Sequence, residues 1–226
     1  MLCILSEGLT EDGCIRTVIK PHLAAHGVEV IHQIVDTGRR GKRRESGGGG
    51  FLHFKEHLGM WLRDAAYAHA RFTTMWDLYG LPVDFPRRNE VFALQDPYEK
   101  VKRAEEFLAE QFSDERLIPY FQLHEFETML FCDPPKLLQH YIGEEARVAQ
   151  LVEIANEVGN PELINDRPDT CPSRRIEKVF KRYPKAKTTV GPKAVKWIGL
   201  PTIREKCRHF ADWLGGLESL GQQGAP

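Results

Sequence analysis

Three apolar runs in this chain each give way to a carboxylate, and that recurrence limits the folds open to it. Leu2-Cys3-Ile4-Leu5 leads through Ser6 to Glu7, Phe72-Thr73-Thr74-Met75-Trp76 leads to Asp77, and the long run from Leu117 to Phe131 holds His124, Glu125 and Glu127 in its middle. Ionised carboxylates are costly to bury alone, so they pair, bind a cation or take up a proton. The order strand, acidic turn, helix, strand is that of a parallel α/β unit, whose ligands sit beyond the carboxyl ends of the strands. Glu7, Asp77 and the Glu125/Glu127 pair then fall on one sheet edge. Three or four oxygen donors gathered there suit a hard divalent cation. For any one run, a chain turning outward to solvent is the plainer account; the repetition is what argues for function.

The rest of the N-terminal half fits the same architecture. Thr10 or Asp12 stands where a helix cap is needed, ahead of Ile15, Val18, Ile19 and Leu23 at helical spacing, with a kink or restart at Pro21 and an end at Gly27. Glu11 and Asp12 in that first turn complement the helix dipole, a structural role that weighs equally with a functional one. Val28 to Val35 reads as a second strand closed by Asp36. Residues 38–50 carry five basic side chains and four consecutive glycines, the composition of a mobile loop that either wraps a polyanion or merely connects. Phe51, Phe54, Leu58, Trp61, Leu62 and Ala65 mark an amphipathic helix. Val101, Ala104, Leu108 and Phe112 mark another, leading into the fourth strand.

The formal net charge of -1 hides an asymmetry. Between Cys171 and Arg208 there are twelve Lys/Arg against two glutamates, a net of +10, which leaves -11 for the remainder. Arg174, Arg175, Lys185 and Lys187 in this segment are candidate phosphate contacts. Tyr183, Trp197 and His209 interleave it and offer stacking surfaces for bases, although Trp197 and Trp213 also fit helix packing. An acidic cluster beside a strongly basic segment is the layout of a phosphodiesterase acting on nucleic acid. The alternative is a purely structural one, with the acidic half neutralising the basic tail. Division near Asp133-Pro134-Pro135 gives an α/β domain over 1–133 and a helical, basic region over 134–226 packed on it. Five scattered cysteines with no C-x-x-C pair argue for a reducing compartment, against a disulfide framework and against a thiolate zinc site. With no signal-like or membrane-spanning run, the expectation is a cytoplasmic protein.

Four motifs taken together, Ser6-Glu7-Gly8-Leu9-Thr10-Glu11, Asp77-Leu78-Tyr79-Gly80-Leu81-Pro82, His124-Glu125-Phe126-Glu127 and Pro172-Ser173-Arg174-Arg175, resemble the bacterial domain-of-unknown-function family forty-two seventy-six over nearly the whole chain. The resemblance implies a relation to Toprim domains, the metal-dependent module of topoisomerases, primases and OLD-type nucleases. It therefore implies a mostly parallel four-stranded sheet flanked by helices. It implies Mg2+ or Mn2+ as cofactor, with Glu7 as general acid/base and Asp77 as a metal ligand. Joined to the acids read above, the expected metal site is Glu7, Asp77, Glu125 and Glu127 and the expected catalytic set is Glu7, Glu11, Asp77, Glu125 and Glu127. Tyr79 stands where the Toprim pattern has its second aspartate, so Glu125 or Glu127 has to supply the missing oxygen. The expected function is a nuclease acting on DNA or RNA, an effector of an anti-phage defence or toxin-like system. The alternative is a non-catalytic Toprim-like module acting with an ABC-type ATPase.

Overall fold

The computed structural model describes residues 1–40, 43–46, 50–164 and 169–222. In chain order the strands are β1 (Leu2–Ser6), β2 (Val30–Ile34), β3 (Asp36–Arg40), β4 (Arg43–Ser46), β5 (Arg71–Asp77), β6 (Leu117–Ile118) and β7 (Phe121–Gln122). The fold is α/β. Its main sheet runs β2-β1-β5-β6, with β7 also paired to β5, and each of these pairings is parallel. β1, at the centre, is buried throughout and divides its side chains by alternation. Leu2 and Ile4 enter one hydrophobic core, Cys3 and Leu5 the other, the period-two pattern of a strand covered on both faces.

The covering helices are α1 (Leu9–Cys14), α2 (Lys20–Ala25), α3 (Phe51–Arg63), α4 (Arg88–Ala93), α5 (Pro97–Phe112), α6 (Glu145–Val158), α7 (Pro172–Val179), α8 (Tyr183–Ile198), α9 (Leu200–Lys206) and α10 (Arg208–Gln222). α3, α4 and α5 supply one core through Phe54, Leu58, Val91, Val101 and Ala104. α2 and the helices from α6 onward supply the other through Leu23, Leu151, Ile176, Val190, Ile203 and Phe210. Two helices are capped as their sequences dictate or by distant help. Asp96 accepts the N–H groups of Tyr98 and Glu99 at the start of α5, and Asp84 reaches back to those of Phe51 and Leu52 on α3. Pro21 has no N–H to donate to the turn before it, and Ile15–Ile19 there is π-helical before α2 restarts.

Five expectations are corrected. The first helix is entered through Gly8 with no side-chain cap, and Thr10 and Asp12 lie inside it, because the chain turns two residues earlier than their spacing suggests. The run from Leu117 to Phe131 is not one strand. Pro119 cannot donate to the ladder, so β6 and β7 are two short pieces, and the chain then enters a 3₁₀ helix over Phe126–Cys132. Thr74 of β5 fills the break: its Oγ1 donates to the Tyr120 carbonyl at 2.6 Å and accepts the Tyr120 N–H at 2.9 Å. The glycine-rich basic stretch, expected as a loop, begins as an antiparallel ribbon in which Arg39 pairs with Arg44 and Arg40 with Arg43. Asp36 opens that ribbon rather than closing β2. Residues 41–42 and 47–49, and with them the expected phosphate-wrapping role, lie outside the described residues. The aromatic residues of the basic segment do not present free faces for bases. Tyr183 is buried, Trp197 packs against the core and His209 stacks on Tyr120.

Candidate functional site

The parallel register aligns Ser6 with Met75, so the residues just past β1 and at the end of β5 leave the sheet side by side. The Asp77 N–H donates to Glu7 Oε2 at 3.2 Å, and the Glu7 N–H donates to the Met75 carbonyl at the same distance. Gly80 lets the next turn close over this carboxylate, since a Cβ there would stand 3.1 Å from Glu7 Oε2. Glu11 comes in from α1, buried at 6% exposure.

The third contribution arrives through an irregular turn. β7 pairs with the end of β5, Asp77 opposite Gln122, and His124 then adopts a left-handed φ of 63°. The Tyr79 N–H donates to the His124 carbonyl at 2.9 Å, tying the two turns together. Glu125 follows at the head of the 3₁₀ helix and accepts the Ser173 N–H at 2.9 Å, which draws in the start of α7. Glu127, only 2% exposed, accepts the Tyr183 hydroxyl at 3.0 Å. Lys187, one helical turn along α8 from Tyr183, is exposed at the mouth of this group. Together Tyr79, Glu125, Ser173, Arg174, Tyr183 and Lys187 line a cleft of about 410 Å³.

Crowding and burial govern the titration of these acids. Burial, then the neighbouring Glu11 carboxylate, pushes Glu7 up to about 8, although the Asp77 N–H and Lys187 pull the other way. Burial raises Glu127 to about 7 and raises Glu11. Asp77 is raised well above the carboxylate range by burial and by Glu11, Glu7, Glu127 and Glu125. Burial opposes the charge on Lys187, but Glu127, Asp77, Glu11 and Glu125 outweigh it and hold the ammonium more tightly protonated. Asp77 Oδ1 is enclosed and has no hydrogen-bond partner among the described residues. An enclosed, unpartnered carboxylate oxygen among further carboxylates is what a bound cation or a retained proton satisfies. All the donors are oxygens, which fits Mg2+ or Mn2+. Their spacing is open, however. Among the described residues, the one trio of His, Cys, Asp or Glu ligand atoms lying within 4.8 Å of one another is that of His22, His26 and Glu218, elsewhere in the fold.

The pattern of the family described as Domain of unknown function (DUF4276) matches residues 6–218. The chain belongs to that family. No curated protein and no solved structure matches it. In this DUF4276 chain the four motifs come to one neighbourhood: Tyr79, Glu125, Ser173 and Arg174 line the cleft, and Glu7, Glu11, Asp77 and Glu127 form a buried acidic group with Glu125. The four basic candidates separate. Arg174 and Lys187 line the cleft, whereas Lys185 is exposed on α8 and is not part of its lining. Arg175 turns inward, its Nε donating to the Thr170 carbonyl at 2.6 Å. Ser173 and the Tyr183 hydroxyl are site groups that the sequence reading did not assign. Ser173 lay inside a motif already singled out. Tyr183 carried only the signal of an aromatic within a basic run.

Proposed function

We propose that this DUF4276 chain is a divalent-metal-dependent nuclease. The observation that carries the reading is the convergence of five carboxylates at the carboxyl edge of a parallel sheet, around the enclosed and unpartnered Asp77 Oδ1, beside a cleft edged by Arg174 and Lys187. Asp77 with Glu125 or Glu127 would hold Mg2+ or Mn2+, with Glu7 beside the ion as the proton-transfer group. A bound ion of this kind supplies Lewis-acid polarisation of a phosphodiester and a more acidic water. The side chains themselves do the remainder. Arg174 and Lys187 hold the phosphates flanking the scissile bond. Glu7, still carrying its proton at neutral pH, is in place to give it to a leaving oxygen. Tyr183 fixes the orientation of Glu127, and the Ser173 N–H that of Glu125. DNA and RNA are both substrates in this reading. The relation to Toprim domains and the role as a phage-defence or toxin-like effector rest on the resemblance of the four motifs.

A second reading has its own support. Tyr79 occupies the place of an aspartate, and the carboxylates are spaced too widely for three to meet one ion without moving. Both features favour a non-catalytic module that works with a partner such as an ABC-type ATPase. The deciding experiment is incubation of total RNA and plasmid DNA with the purified chain and Mn2+, alone and with any neighbouring ATPase, alongside Asp77→Asn. Metal-dependent products from the wild type that the variant fails to make support the nuclease. No product from either substrate in either setting overturns it in favour of the binding module.

A further inference from the structure

The edge of the sheet opposite the carboxylates holds a second constellation. α2 ends at Ala25 and the chain passes through Gly27 to the amino end of β2, so His22 and His26 lie away from the carboxyl ends where Glu7 and Asp77 stand. The two histidines are four residues apart, on one face of a helical turn and its cap. Their ring centroids are 4.6 Å apart. His22 Nε2 lies 2.6 Å from Oε1 of Glu218, a residue of α10 that is 196 positions away in sequence. One nitrogen of each ring and one Glu218 oxygen all fall within 4.8 Å of one another.

The trio offers a ligand set in which a proton now stands for the cation. Glu218 Oε1 only accepts, so His22 Nε2 donates to it at 2.6 Å, and a metal bound here takes the place of that proton. His26, exposed, brings a second ring within reach of the same carboxylate. His26 Nδ1 is 3.0 Å from the His22 carbonyl, which can only accept, so Nδ1 carries the proton and Nε2 carries the lone pair. The approach of the two helices is built in. Gly221 in the last turn of α10 lies so close to the end of α2 that a Cβ there would stand 1.8 Å from the His26 carbonyl oxygen. Arg204 of α9 also bonds Glu218 Oε1, at 2.5 Å. Burial raises Glu218, but His22 and then Arg204 outweigh it and hold the carboxylate below its usual range, and Arg204 must shift when a metal takes the same oxygen. Two imidazoles and one carboxylate are the donors of a borderline transition metal, with the fourth tetrahedral position left to water, and not of Mg2+.

We propose that His22, His26 and Glu218 form a zinc-class metal site that ties α2 to α10, independent of the carboxylate cleft and of the reading given to it. Zinc binding to the chelator-treated full chain, followed by calorimetry, is the test, with Co2+ as a spectroscopic probe. The wild type is expected to bind one Zn2+ with a tetrahedral cobalt spectrum lacking sulfur-to-metal absorption. His26→Gln, at an exposed position that leaves the core intact, is expected to weaken zinc by roughly 100-fold or more, as is Glu218→Gln. Asp77→Asn is expected to leave it unchanged. The proposal is overturned if His26→Gln binds zinc as the wild type does, or if the wild type binds none at micromolar free zinc. It is equally overturned if the cobalt complex shows thiolate absorption, which would put the metal on the buried Cys132 and Cys207, whose sulfurs lie 3.3 Å apart.

Discussion

The backbone N–H of Asp77 donates to the side chain of Glu7, so the carboxylate that ends one central strand is held by the residue that ends its neighbour. The bond joins positions 70 residues apart and depends on the parallel register of β1 and β5. It stabilises a charge on Glu7, yet burial and Glu11 overcome it and leave the group protonated near neutrality. A cluster arranged in this way is under strain from its own charge, and adding a proton or a cation relieves it.

That strain predicts how stability follows pH without metal. Glu7 titrates near 8 and Glu127 near 7 in the folded chain, against an ordinary 4.5. Between those values the unfolded chain has lost protons that the folded chain retains, so stability falls as pH rises. His209, raised on balance by Glu105 and Glu162 although its burial pulls the other way, acts in the same sense. His124 acts oppositely. Burial lowers it from 6.5 to about 4, so its contribution is lost as pH falls through that range. Thermal melts in chelator should therefore give a lower Tm at pH 8 than at pH 6.5, with the difference shrinking in Mn2+. A Tm that is flat or rising over this window in chelator contradicts the crowding.

Asp77→Asn replaces a group held well above the carboxylate range by a neutral one of the same shape. The metal-free variant should melt at a higher temperature than the wild type at pH 8, because folding no longer requires Asp77 to take up a proton that the unfolded chain releases. Divalent-dependent cleavage should fall at least about 100-fold, the scale on which losing one electrostatic contact at a reacting group acts. The wild type at a Mn2+ concentration of about 100 Kd should gain roughly 2.7 kcal/mol, and the variant should lose most of that response. Parallel melts and cleavage assays check all three.

The parts of this site that the sequence revealed are those carried by local pattern. β1 and β5 are covered on both faces, so they read as unbroken apolar runs, and the acids that end them stand out as Glu7 and Asp77. The missed features depend on contacts distant in the chain. Thr74 completing the ladder at Tyr120, 46 positions away, leaves no local trace, and without it Leu117 to Phe131 looks continuous. Lys187 is among the candidates, but only the packing of α8 separates it from Lys185, which stays outside the cleft lining. Glu162, fully buried, accepts the N–H groups of His209 and Phe210 at the start of α10, a cap supplied from 47 and 48 residues upstream. His22 and His26 draw no notice in the sequence, since Glu218 becomes their neighbour only in the fold.

The two arginines of the fourth motif should behave differently. Arg174 is exposed at the cleft and pairs with Glu177 at 2.6 Å, an arrangement that a phosphate can replace. Arg174→Ala should weaken nucleic-acid binding across sequences and reduce the magnitude of the slope of log affinity against log salt by about 1. Arg175→Ala should leave that slope unchanged and cost about 1 to 3 kcal/mol in stability, because its guanidinium holds the Thr170 carbonyl. Binding titrations at several salt concentrations, with denaturant melts of both variants, check the division. An equal loss of slope in both would show that Arg175 leaves Thr170 to reach the substrate.

The last prediction concerns the crossing of α1 and α8, which sets Lys187 within electrostatic reach of Glu11. A Cβ at Gly13 would stand 2.7 Å from Cγ of Pro192, part of a rigid ring within α8 that cannot rotate aside. Gly191 is as tightly confined, since its Cβ would come within 3.0 Å of both Phe126 and Thr10. Gly13→Ala gains about 1 kcal/mol of helix propensity. Overpacking costs about 1 to 3 kcal/mol, so the balance falls on the side of destabilisation, by up to roughly 2 kcal/mol. The helices relieve the clash by moving apart, which carries Lys187 away from the carboxylates it screens. Gly13→Ala should therefore shift the pH at which metal-free stability declines as well as lower the melting temperature. Arg175→Ala, destabilised at a point away from this crossing, should lower the temperature alone. Melts of the two variants between pH 6.5 and 8 separate the effects, and matching pH profiles would detach the α1–α8 crossing from the electrostatics of the cleft.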